Sequence, residues 1–112
     1  MEGVRIKTIG DVAILYLDGR LDIVHTAEVE TEVQRVLKDR GYKKLIFNLA
    51  KLEYMSSSGI RMLITVIRAM AEKEDGWIRM CDLNPQVDKI FEAAQVKSIF
   101  DIYPTEKDAL AA

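Results

Sequence analysis

Hydrophobic positions along the chain recur at two spacings, every second residue in some stretches and every third or fourth in others. Residues 4–10 (VRIKTIG) alternate apolar and polar side chains, the mark of a half-buried strand. Gly10-Asp11 supplies a turn, and residues 12–19 (VAILYLDG) then carry Val12, Ile14 and Tyr16 on one face and Ala13, Leu15 and Leu17 on the other. A strand apolar on both faces belongs at the centre of its sheet. The two strands are close enough to pair as a hairpin. Gly19 opens a loop (GRLDIVHT), after which Thr26 can cap a helix with Glu28 in its first turn. Val29, Val33, Val36 and Leu37 line one face of that helix, and Gly41 ends it.

Residues 43–50 (KKLIFNLA) read as a third, largely buried strand. A second helix is predicted from about Ser57 to Glu74, with Arg61, Thr65, Arg68 and Glu72 as its single polar stripe and Gly76 as its stop. Met62 and Val66 flank that stripe and are expected to be partly exposed, as ordinary packing positions or as part of a binding face. Residues 77–83 (WIRMCDL) form a fourth strand, with Trp77 covering the sheet edge. Asn84-Pro85 is a cap and first-turn pair for a third helix, which carries Val87, Ile90, Phe91 and Ala94. Residues 98–103 (SIFDIY) give a short strand, and Thr105 with Asp108 resembles a capping box for a last short helix. The order β-β-α-β-α-β-α-β-α predicts an α/β fold over residues 1–112. Its mixed sheet has four to five strands, with about four helices and right-handed crossovers.

Composition narrows the function classes. The chain has 112 residues, 49% hydrophobic and 30% charged, which is the make-up of one soluble globular domain. Sixteen basic and 18 acidic residues leave a net charge of −2. That balance argues against nonspecific nucleic-acid binding, which needs a positive field to displace phosphate counterions. The most apolar stretch, 59–71, is interrupted by Arg61 and Arg68, so no membrane insertion is expected. The first ten residues hold no long apolar segment of a signal peptide, and the expected location is cytoplasmic. Cys81 is the only cysteine, which excludes an intrachain disulfide and a cysteine-rich metal site. No metal and no cofactor is expected.

The segment YMSSSGIRML (54–63) places three serines and a glycine ahead of the second helix. One serine suffices as an N-cap, and Gly59 can relieve crowding where helix meets sheet. That reading leaves unexplained a glycine in a first turn, where it costs about 1 kcal/mol against alanine. A second reading starts from position. The carboxyl end of a strand, leading into a helix N-terminus, is where ligands and partners bind in open α/β sheets. The free N–H groups and the helix dipole favour an anion there. A phosphate on Ser57 would add about −1.5 to −2 charges at that place.

The order Tyr54-Met55, Ser56, Ser57, Ser58, Gly59, Ile60 resembles a motif of the STAS (sulfate transporter and anti-sigma factor antagonist) family. In its anti-sigma factor antagonists, a strand ending in aromatic or aliphatic residues is followed by Asp or Ser, the phosphorylated Ser or Thr, a small residue, Gly and an apolar helix. Gly19-Arg20-Leu21-Asp22, followed by TAE at 26–28, is similar to the family's second signature. The segments LIFNLAKLEYM and NPQVDKIFEAAQV also match its style, so the likeness covers nearly the whole chain.

The resemblance implies that Ser57 is the phosphoacceptor, with Ser56 and Ser58 as lesser candidates. It implies a binding module and not an enzyme, with a contact face of Gly19, Arg20, Asp22, Ser56, Ser58, Gly59, Ile60 and Arg61. The implied partners are an anti-sigma factor that is itself a serine kinase, and a PP2C-type phosphatase that resets the cycle. Phosphate would repel carboxylates such as Asp22 if the two loops adjoin. Many family members carry Asp where this chain has Ser56, which brings a second hydroxyl beside the first and no charge. A STAS scaffold subunit of a signalling assembly, or of a membrane lipid transporter complex, is the alternative, using the same face without reversible phosphorylation.

Other residues were weighed for chemistry. His25 beside Asp22 makes an Asp/His/Ser hydrolase conceivable, but the chain has no G-x-S-x-G elbow. His25 otherwise reads as a loop residue or part of a partner surface. Cys81 reads as a small buried hydrophobe. Asp22, Asp39 and Asp82 lack metal-ligand spacing, and the glycines are too scattered for a phosphate-cradling loop.

Overall fold

The computed structural model describes residues 4–112. Strands β1 (Val4–Ile9) and β2 (Val12–Leu17) pair antiparallel through a turn at Gly10, whose φ of 59° suits glycine. β3 (Gly19–Leu21) leads into helix α1 (Ile23–Gln34), which runs on through Arg35–Asp39 wound as a π-helix. β4 (Lys44–Asn48), β5 (Leu52–Met55), α2 (Ser57–Ala71), β6 (Trp77–Cys81), α3 (Pro85–Ala93), β7 (Ile102–Tyr103) and α4 (Glu106–Ala111) follow. The main sheet has the order β1-β2-β4-β6-β7, parallel except at the β1–β2 edge. This is the mixed α/β fold with four helices and a five-stranded sheet that the periodicity predicts.

The larger core joins one face of the sheet to the helices. Leu15, Phe47 and Met80 from β2, β4 and β6 pack with Val29, Val33, Leu63, Val66, Met70 and Phe91 from α1, α2 and α3. Met62 and Val66 are 4% and 3% exposed, so the expected partial exposure is corrected: they are core, and α2 buries more of its circumference than the stripe reading allowed. Phe91 meets Phe100 edge to face, with centroids 5.0 Å apart, just ahead of β7. Ala94, placed by spacing on the buried face of α3, is instead its exposed C-cap.

The other face carries Val12, Ile14, Ile46 and Cys81 under α4. Burial pushes the Cys81 thiol well up, so it is protonated and inert. The Tyr16 hydroxyl donates to Glu106 Oε1 at 2.7 Å, and Asn48 Nδ2 donates to the same oxygen at 3.1 Å. These bonds tie α4 to β2 and β4. Burial, then the bond to Glu106, pushes the Tyr16 hydroxyl up to about 12. Trp77 opens β6 where β7 has not yet joined it, half-buried against the α4-side cluster. Its strand lies between β4 and β7, and the Arg79 guanidinium sits 3.7 Å over its ring.

Two short strands lie outside the periodic pattern. β3 and β5 form a separate two-stranded parallel sheet, registered Gly19↔Leu52, Arg20↔Tyr54 and Leu21↔Met55, with an irregularity after Gly19. The first helix also starts earlier than Thr26. Asp22 is its N-cap, and the Thr26 hydroxyl bonds back to the Asp22 carbonyl at 2.6 Å inside the first turn. α2 ends at Ala71, three residues short of Glu74, and the chain turns off through Asp75 at φ 61°.

Candidate functional site

The small β3–β5 sheet brings the two sequence signatures together. Leu21 pairs with Met55, and the Ser56 N–H donates to the Leu21 carbonyl at 2.9 Å. Asp22 and Ser56 are therefore neighbours at the ends of strands about 4.8 Å apart. Each is a helix N-cap. Asp22 Oδ1 accepts from the His25 N–H at 2.9 Å, and Ser56 Oγ accepts from the Gly59 N–H at 3.3 Å. Two helices thus start side by side, and Ile23 and Val24 follow Asp22 as Ser57 and Ser58 follow Ser56. The expected adjacency of the two loops is a consequence of strand register. Leu21 and Met55 point into the core, while Arg20 turns outward and lies 4.4 Å over the Tyr54 ring.

The three serines have three environments. Ser56 is half-buried and spends its oxygen on the cap. Ser57 is the first residue of α2 and is exposed. Ser58 is half-buried and accepts from Arg61 Nη2 at 3.3 Å. Gly59 is there for space: a Cβ would stand 2.8 Å from Met55 Cγ and 3.0 Å from Leu21 Cδ2. The helix touches the β3–β5 pair so closely that a side chain has no room. Ile60 is only 9% exposed and belongs to the core, so it offers a contact face little side chain, contrary to the expectation for it.

Sequence reasoning missed the two most exposed aliphatic side chains of the molecule. Ile23 and Val24, on the first turn of α1, are 74% and 69% exposed. Two apolar residues directly after a capping Asp are the available signal, hidden because the segment GRLDIVHT reads as a loop with its cap at Thr26. With Arg20, Asp22, Ser57, Ser58 and Arg61 they make a mixed apolar and charged surface around two helix N-termini, the composition of a protein-binding patch.

His25 Nδ1 lies 2.8 Å from Asp22 Oδ1, without the alignment of a hydrogen bond. Asp22 and His25 are thus together, but among the described residues no hydrogen bond joins His25 to a serine. A hydrolytic triad needs a base bonded to its nucleophile. Among the described residues no three His, Cys, Asp or Glu side chains cluster as metal ligands, and no helix is long and apolar enough to cross a membrane.

The His25 N–H holds the Asp22 carboxyl below its usual range. A depressed folded-state pKa stabilises the fold above the unfolded value, about 3.9, and that share is lost as pH falls through the folded value. We expect Asp22→Ala to lower the melting temperature by a few degrees at pH 7, through loss of the α1 cap. The gap from wild type should close in acid, and thermal unfolding followed by circular dichroism across pH 2–7 checks it.

The STAS domain family model matches residues 3–109. The chain is 28% identical over 104 residues to BtrV of Bordetella bronchiseptica, a protein assigned as an anti-sigma factor antagonist, covering 93% of this chain and 88% of that one. It is 29% identical over 100 residues to the anti-sigma F factor antagonist of Paenibacillus polymyxa, covering 88% and 84%. Among solved structures it is similar to the Bacillus cell-fate determinant SpoIIAA in its phosphorylated form, at 17% identity and TM-score 0.73, covering 97% of each chain. The unphosphorylated form gives 18% and 0.74, covering 97% of this chain and 96% of that one.

Proposed function

The chain belongs to the STAS domain family, and on that premise we propose that it is an anti-sigma factor antagonist, a binding module switched by phosphorylation of Ser57. The unphosphorylated face binds an anti-sigma factor that is also a serine kinase, and the sigma factor held by that protein goes free. The kinase then transfers the γ-phosphoryl group of a nucleoside triphosphate to Ser57 Oγ. The O–P bond forms as the bond to the diphosphate leaving group breaks, and the hydroxyl proton is released. A phosphatase of the PP2C type hydrolyses the ester and resets the protein. The names of the two curated relatives support the antagonist role.

One observation carries the assignment to this face: Ser57 and the pair Ile23 and Val24 are exposed on the first turns of two helices whose caps, Ser56 and Asp22, are neighbours through the Leu21↔Met55 register. A hydroxyl used for capping is a poor acceptor of phosphate, and Ser56 is so used. Ser57 is not. The aliphatic pair supplies the apolar part of a contact that a phosphate next to it would disrupt by desolvation and charge.

Full burial of an aliphatic side chain stabilises by about 1.5–3 kcal/mol, and truncation to alanine removes part of that. Ile23→Ala and Val24→Ala are each expected to weaken partner binding about tenfold, with the melting temperature unchanged because neither side chain is packed. Titration calorimetry with the purified anti-sigma partner measures this. Unchanged affinity in both variants would place the contact elsewhere.

A further inference from the structure

We propose that Arg61 is the intrahelical clamp for a phosphate on Ser57, so that modification adds an anion and at the same time withdraws a cation from the contact face; this rests on the reading of Ser57 as phosphoacceptor. Ser57 is the first residue of α2 and Arg61 lies four positions on, so the two side chains project from the same side of the helix, one turn apart. Both are exposed. Arg61 Nη2 already reaches back toward the helix start, donating to Ser58 Oγ at 3.3 Å. Among the described residues it makes no ion pair, and that neutral hydroxyl is its side-chain partner.

The surroundings decide which way the phosphate turns. Asp22 stands beside Ser56 on the β3 side, and its carboxylate repels a dianion there. On the α2 side, neither the cap, Ser56, nor the first turn carries an acidic residue. A phosphoserine has three staggered positions about χ1. Repulsion from Asp22 and attraction to Arg61 favour the same one, along the helix. An acid N-terminal to a base at i, i+4 is also the better orientation of such a pair. A phosphate offers a guanidinium two oxygens at once, so the pair can be bidentate. The unmodified face thus presents a guanidinium that, among the described residues, has no carboxylate partner. The modified face presents an anionic pair in the same place.

The test installs phosphoserine at position 57 by genetic encoding, so no kinase is needed, and follows the phosphate by 31P NMR as pH is varied. Wild type, Arg61→Gln and Arg61→Lys are compared. A free phosphoserine has its second pKa at about 6. The helix N-terminus lowers it in all three proteins, so the difference between them isolates Arg61. We expect the wild-type value to lie below that of Arg61→Gln by about 0.5 or more, with Arg61→Lys between them, and the gap to shrink in high salt. Coincident wild-type and Arg61→Gln curves would overturn the clamp and leave the switch reading untouched. The switch reading is judged separately, by whether cells phosphorylate Ser57.

Discussion

Ser57→Glu is expected to weaken binding of the anti-sigma partner by at least about 100-fold, while Ser57→Ala binds as wild type and cannot be switched off. The size follows from where the side chain stands. Ser57 is exposed in the free protein, so neither substitution disturbs the core or the Ser56 cap, and both proteins should melt close to wild type. In the proposed complex the same position is covered. A carboxylate covered there loses its water, a cost of several kcal/mol that pairing with Arg61 along the helix repays only in part, and each 1.4 kcal/mol is tenfold in affinity. Asp22, beside Ser56 through the Leu21↔Met55 register, adds repulsion. Glutamate is favourable to the free protein at a helix N-terminus. Its effect on binding is therefore a property of the interface and not of misfolding. Affinities from surface plasmon resonance, taken beside melting curves, separate the two. Binding of Ser57→Glu within threefold of wild type would remove Ser57 from the interface.

Gly59→Val is expected to destabilise the fold by about 3 kcal/mol, and Gly59→Ala by less. Two opposing terms set these values. Alanine in a helix is worth about 1 kcal/mol over glycine. Against that, a Cβ at 59 meets Met55 Cγ at 2.8 Å and Leu21 Cδ2 at 3.0 Å. Both neighbours are buried side chains of the β3–β5 pair, so the clash is relieved only by shifting Met55 and Leu21 within a packed core. Overpacking of this kind costs about 1–3 kcal/mol. For alanine the terms partly cancel. Valine adds two methyls and a stiff χ1, so the clash dominates. Urea unfolding of the three proteins gives the order directly. Equal stability of Gly59→Val and wild type would mean that the helix does not approach the strands so closely. The same contact explains why the serine motif ends in glycine: the helix start that displays Ser57 is seated on Leu21 and Met55.

Most of the architecture was legible because its signals are long. The two-faced apolar pattern of β2, the i, i+4, i+7, i+8 valines and leucine of α1, and the Asn84-Pro85 start of α3 each repeat a period several times. The misses were short or inverted. β3 and β5 have three and four residues, too few for alternation to register, and β3 is further broken at Gly19. Asp22 reads as a loop residue instead of a cap because Thr26, with Glu28 two positions on, offers a cap of its own and leaves Ile23 and Val24 in the loop. Hydropathy alone assigns such residues to the core, and only the fold shows them standing in solvent. Ile60 failed in the opposite sense. Its place beside the serines suggested a contact residue, but the turn of α2 that exposes Ser57 carries Ile60 inward.

These misses share a cause that bears on function. The contact face is built where local rules are broken: aliphatic residues exposed on a first turn, a glycine inside a helix, and a neutral serine as the cap. Such departures are expected at a functional site, where local preference yields to what the surface must do. The three serines stand in three environments: Ser56 caps α2, Ser58 holds the Arg61 side chain back toward the helix start, and Ser57, exposed and without either task, is the one proposed to carry the switch.

The most direct test is phosphopeptide mapping of the protein recovered from its own cells, with the anti-sigma kinase gene present and deleted. The account predicts phosphate on Ser57, lost with the kinase and absent from Ser56 and Ser58. Phosphate on Ser56 or Ser58, or no phosphate in any condition while the partner is still bound and released, would contradict it.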